Sequence, residues 1–98
     1  MATYVHYRFE AFLYPAHVSR IEIEHGETDD WVYIRRQSHK LAAERNEPVL
    51  LYIYNDYLRK WEYIGKAVPG GDWYDFNGGG PYVLSSDGSS YIRKGGEK

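Results

Sequence analysis

The chain has 98 residues, a formal net charge of −2 and no cysteine. That length allows one domain around one core, and so small a charge supplies no overall field to draw the chain to nucleic acid or to a membrane. Lack of cysteine excludes a disulfide scaffold, a thiolate nucleophile and any Cys-based zinc site, and fits a cytoplasmic protein.

Three Trp and eleven Tyr stand against a single Met. Tyr and Trp offer large rigid faces with a polar tip, and are enriched where proteins grip other molecules. No run approaches the roughly 20 apolar residues of a membrane span, and the first residues lack the apolar core of a signal peptide.

Residues 3–14 alternate, with Val5, Tyr7, Phe9, Ala11 and Leu13 on one face and His6, Arg8 and Glu10 on the other. Period two predicts a half-buried strand. Residues 18–25 alternate again, with Ile21 and Ile23 inward, and Tyr14-Pro15-Ala16 forms the turn between. The predicted register sets Phe9 opposite Ile21 and Tyr7 opposite Ile23. Arg8 then meets Glu22, Glu10 meets Arg20 and His6 meets Glu24, so that opposite charges pair on the wet face. A two-residue slip would set Glu10 against Glu22.

Thr28-Asp29-Asp30 supplies caps and acidic charge for a helix start. The helix is expected over residues 29–46, with Trp31, Ile34, Ser38, Leu41 and Ala42 as its inward stripe. Asn46 suits the left-handed terminal position, and Pro48 prevents continuation. Val49–Tyr54 is apolar on both sides, as in a central strand. Residues 61–68 return as a strand after an Asn55-Asp56 loop. Residues 70–82 then mix Trp73, Tyr74, Phe76 and Tyr82 with Gly, Asn and Asp in an aromatic glycine loop. Strands at 82–85 and 90–93 flank Asp87-Gly88, a two-residue hairpin signal, and residues 95–98 read as a frayed tail. The sum is a single α+β domain, one antiparallel sheet of four to six strands on one main helix, ordered β-β-α-β-β with a C-terminal hairpin.

Chemistry-bearing motifs are missing. There is no Gly-x-Ser-x-Gly elbow, His-Glu-x-x-His pair or phosphate loop, and the four His residues have no ligand spacing. These absences lead to the expectation of a protein without catalysis, metal or cofactor. Three surfaces remain. Glu22, Glu24 and Glu27 form an acidic stretch that would engage a basic partner, although cross-strand pairing and helix-dipole chemistry account for most of it. Arg35, Arg36, His39 and Lys40 on the helix would contact phosphates or an acidic partner, although an exposed helix face of this kind is usually only solvated. Trp73, Tyr74, Phe76 and Tyr82 would anchor a partner or fold back over the core, with Trp73 and Tyr74 the expected exposed pair.

The expected function is a small non-catalytic inhibitor or adaptor that occludes a larger protein partner. By size and composition alone it is of the kind that phages and mobile elements encode. A single-stranded nucleic-acid module, using helix cations and sheet aromatics, is the alternative. The edge at Arg93 and Lys94 leaves pairing with a second copy open.

Overall fold

The computed structural model describes residues 3–12 and 19–94. Leu13, the turn at 14–16 and the tail at 95–98 lie outside the described residues. The elements run β1 (Val5–Phe12), β2 (Arg20–Thr28), α1 (Trp31–Arg45), β3 (Val49–Asn55), β4 (Lys60–Ala67), β5 (Asp72–Asp75), β6 (Tyr82–Leu84) and β7 (Tyr91–Arg93). All seven strands join one sheet in the order β2-β1-β3-β4-β5-β6-β7, and every neighbouring pair is antiparallel. The fold is α+β as expected, with one strand more than the upper expectation. The extra one is β5, which lies within the stretch read as a loop.

The helix begins where its caps predict. Thr28 Oγ1 accepts the Asp30 N–H at 3.1 Å, and Asp30 Oδ1 accepts the Tyr33 N–H at 3.0 Å. It ends with Asn46 in the left-handed conformation, at φ 54°. Ile34, Ser38 and Ala42 are buried. Trp31, expected in the inward stripe, is instead 37% exposed, because it stands at the first helical position, at the end of the helix.

Beneath the helix lie Tyr7, Phe9, Val49, Leu51, Ala67 and Trp73, which with Ile34 and Ala42 make the core. Phe9 is fully buried. A side chain of this size contributes about 1.5–3 kcal/mol by leaving water.

The β1–β2 register departs from the expected one. Tyr7 faces Gly26, Arg8 faces His25 and Phe9 faces Glu24; after a bulge, Glu10 faces Glu22 and Ala11 faces Ile21. Two local facts explain this. A Cβ on Gly26 would come within 2.7 Å of the Tyr7 hydroxyl and 2.9 Å of its ring, so the tyrosine lies across the one position that admits it. The bulge lets Ile23 pack against the core while the strand continues. The Glu10–Glu22 opposition is tolerated because Glu10 is held by Arg8 at 2.7 Å and Arg20 at 3.2 Å, while Glu22 turns to His25.

The C-terminal hairpin also differs. Val83 pairs with Ile92 and Leu84 with Tyr91, so its connection spans residues 85–90 rather than two. Asp87 organises that loop by accepting from Ser85 Oγ, Ser89 Oγ and the Ser89 N–H, bonds that pull its carboxyl down to about 2.

Candidate functional site

Residues paired across antiparallel strands share a face. On β1, β3 and β4 the helix side therefore takes Phe9, Leu51 and Ile53, while the other side takes Arg8, Tyr52 and Tyr63 in one row and Tyr54 with Trp61 in the next. A bulge beside Leu51 keeps this separation across β4. Lys66 and Tyr74 extend the second face onto β5. No helix among the described residues covers it.

The aromatic side chains on this open face are half-buried against one another. Tyr52 and Tyr63 rings lie 5.5 Å apart, and Tyr54 meets Trp61 edge-on at 5.3 Å. The Arg8 guanidinium sits 4.7 Å from the Trp61 ring centre and 5.7 Å from that of Tyr52. Lys66 lies 5.7 Å from the Tyr74 ring. Each cation–ring contact contributes about 0.5–1 kcal/mol at such exposure, enough to order the platform. Burial pushes the Tyr52 and Tyr63 hydroxyls above their usual range, so both stay protonated and able to donate. At one end Tyr63, Tyr74 and Phe76 wall a hollow of about 290 Å³, with Lys66 and Asp75 beside it. Phe76 is 68% exposed.

Most charges on this face have an opposite charge beside them, while Lys66 has the Tyr74 ring. Glu10 takes Arg8 and Arg20, Glu27 lies 3.5 Å from His6, and Asp72 takes Lys94 at 3.0 Å. The surface is aromatic and close to neutral.

The aromatic quartet of the glycine loop is divided by strand alternation. Tyr74 and Phe76 reach the open face. Trp73 is 3% exposed, which corrects its expected exposure: it stacks on Tyr91 with centroids 4.9 Å apart, and its ring lies across Gly65. Tyr82 pairs with Trp73 on the helix side and packs against the core.

The helix cations are turned largely to internal work. Arg35 donates to the Gly88 carbonyl at 3.1 Å and Arg36 to that of Ser86 at 3.3 Å, which ties the 85–90 loop to the helix. His39 is not on the outer face; its Nε2 lies 3.0 Å from the Tyr91 hydroxyl, beside Trp73. Burial pushes its imidazole below the usual value, opposed by the charge of Asp72. Lys40 is exposed.

The acidic stretch does not share a surface. Glu22 and Glu27 pair with His25 and His6, whereas Glu24 accepts from Tyr7, Tyr33 and Gln37 under the edge of the helix. Among the described residues no group of three His, Asp or Glu could hold a metal ion, and no helix is long and apolar enough to cross a membrane.

Arg8, Tyr52, Tyr54, Trp61, Tyr63 and Lys66 escaped the sequence reading of binding residues. The signal was present: in 51–54 and 61–64, Tyr and Trp fall on one parity within each strand and Leu and Ile on the other. No family model, curated protein or solved structure matches the chain.

Proposed function

We propose that the protein is a non-catalytic interaction module, an inhibitor or adaptor, that occludes a larger protein partner with the open face of its sheet. The carrying observation is the Tyr52–Tyr63 and Tyr54–Trp61 platform, left without a covering helix. Tyr, Trp and Arg dominate the residues that supply binding energy between proteins, and half-buried rings already held by neighbours lose little entropy on docking. Phe76 and the hollow beside it offer a knob and a socket at one end. Lack of cysteine suits a reducing, cytoplasmic setting.

The nucleic-acid alternative draws less support. Phosphate binding needs clustered uncompensated cations. Arg8, Arg20, Arg35 and Arg36 are engaged within the chain, while Lys40, the exposed member of the helix set, stands apart from Lys66 on the open face. Site-specific photo-crosslinking separates the two. A benzophenone side chain at Tyr63 is expected to capture one protein from lysate, and the same group at exposed Tyr33 on the helix side to capture none. Equal capture from both positions, or capture of nucleic acid alone, overturns the reading.

A further inference from the structure

The helix side of the sheet holds a feature that docking on the open face does not use. Between the first turns of α1 and the strands below it lies a cavity of about 180 Å³, with Leu51 at its floor and Trp31, Trp73 and Tyr91 in its walls. That is below the roughly 300–1,000 Å³ of sites for drug-sized molecules, so it suits a small metabolite. The exposed Trp31 ring stands at its margin.

Arg35 and Asp75 line the same cavity. Asp75 accepts the Trp73 indole N–H at 3.0 Å, and Arg35 lies 5.9 Å from the Trp31 ring centre. Among the described residues neither takes part in an ion pair, whereas Arg8, Arg20, Arg45 and Lys94 each hold a carboxylate. Both charges are felt at the Tyr91 hydroxyl, which burial chiefly raises to about 12 while Arg35 lowers it and Asp75 raises it further. Arg35 spends one N–H on the Gly88 carbonyl and Asp75 one oxygen on the Trp73 indole, so each keeps donors or acceptors free and neither charge is neutralised by an ion pair. A guanidinium and a carboxylate in one apolar-walled cavity then favour a ligand that answers both charges.

We propose that this cavity binds a small zwitterion, an α-amino acid or a betaine, with its carboxylate on the Arg35 guanidinium and its ammonium group beside Asp75 and the indole rings. A simple cation would be repelled by Arg35, and a simple anion by Asp75. An apolar molecule would leave both charges unanswered. Indole faces attract ammonium and quaternary ammonium groups, and a guanidinium binds carboxylate through two parallel hydrogen bonds. The cavity and the open-face hollow share Asp75 at the end of β5, whereas Trp31, Arg35 and Tyr91 belong to the cavity alone, so Arg35→Gln tests this inference separately from the docking reading.

The three tryptophans provide the assay, because Trp31 and Trp73 line the cavity while Trp61 lies on the other face. Glycine betaine and L-valine are titrated into the 15N-labelled protein. The expected result is saturable movement of the Trp31 and Trp73 indole signals by at least one of them, with Trp61 unmoved. Arg35→Gln and Asp75→Asn are each expected to weaken binding about tenfold, the loss of one charge-assisted contact. Asparagine at 75 can still accept the Trp73 N–H, which protects the fold. N-acetyl-L-valine and L-valinamide each lack one of L-valine's charges; tested on the unaltered protein, they are expected to bind more weakly than L-valine where L-valine binds. No saturable shift with either zwitterion, or shifts indifferent to both substitutions, overturns the proposal.

Discussion

The two faces of the central strands carry the same backbone and opposite chemistry. On β1, β3 and β4, Phe9, Leu51 and Ile64 meet the helix and join the core, while Arg8, Tyr52, Tyr54, Trp61 and Tyr63 pack among themselves with no helix over them. One face is aliphatic-rich, and its energy comes from leaving water. The other is amphipathic, and its half-buried rings are ordered by each other and by a cation. The contrast teaches that a strand apolar on both sides need not be buried on both sides, because tyrosine counts as apolar in a pattern and behaves as an interface residue in a fold.

Substitutions separate the two faces by size of effect. Phe9→Ala removes a fully buried ring, and chemical denaturation is expected to show a loss of about 3–5 kcal/mol. Gly65→Ala comes next. Its Cβ would collide with the Trp73 indole and lie 2.5 Å from the Tyr74 carbonyl, and the cost is expected at about 1–3 kcal/mol. Trp61→Ala, although it deletes the largest side chain of the open face, is expected to cost only about 1 kcal/mol, the worth of one ring pair and one cation contact. A loss as large as that of Phe9→Ala would mean that the open face belongs to the core.

Two smaller effects sharpen the picture. Arg59 holds φ 57° in the β3–β4 turn. Arg59→Gly relieves a left-handed backbone at the expense of unfolded-state entropy, and a net gain of about 0.5 kcal/mol is expected in the same measurement. His39, on the helix side, changes slope rather than midpoint. Its folded value is lowered, so the unfolded chain takes up a proton first as pH falls below about 6.5, and stability drops from there toward the folded value. Above that range the group contributes no pH dependence. His39→Gln is expected to flatten this part of the stability–pH curve relative to the parent.

Much of the fold was legible in the sequence. Asp30 and Asn46 cap the helix as their chemistry requires, and the strand parity of β1 places Tyr7, Phe9 and Ala11 in the core. What was hidden depends on contacts between distant residues. The β1–β2 register follows from Tyr7 lying over Gly26 and from a bulge near Ile23, and local charge pairing argued for a different alignment. β5 was hidden because Gly70, Gly71 and Gly78–Gly80 look like a loop, yet Trp73 is drawn under the helix by the space above Gly65. That burial also divided the predicted aromatic quartet, so the candidate surface rests on Tyr74 and Phe76 plus strand residues that had been read as central sheet.

The most direct test compares matched tryptophans on the two sides. Affinity for the protein captured through Tyr63 would be measured for the parent, for Trp61→Ala and for Trp31→Ala, with each variant shown folded by its thermal transition. The expected result is at least roughly a tenfold loss for Trp61→Ala, the scale of an interface anchor, and an unchanged affinity for Trp31→Ala. Equal affinities for the parent and Trp61→Ala, or a loss confined to Trp31→Ala, would contradict the assignment of the open face as the docking surface.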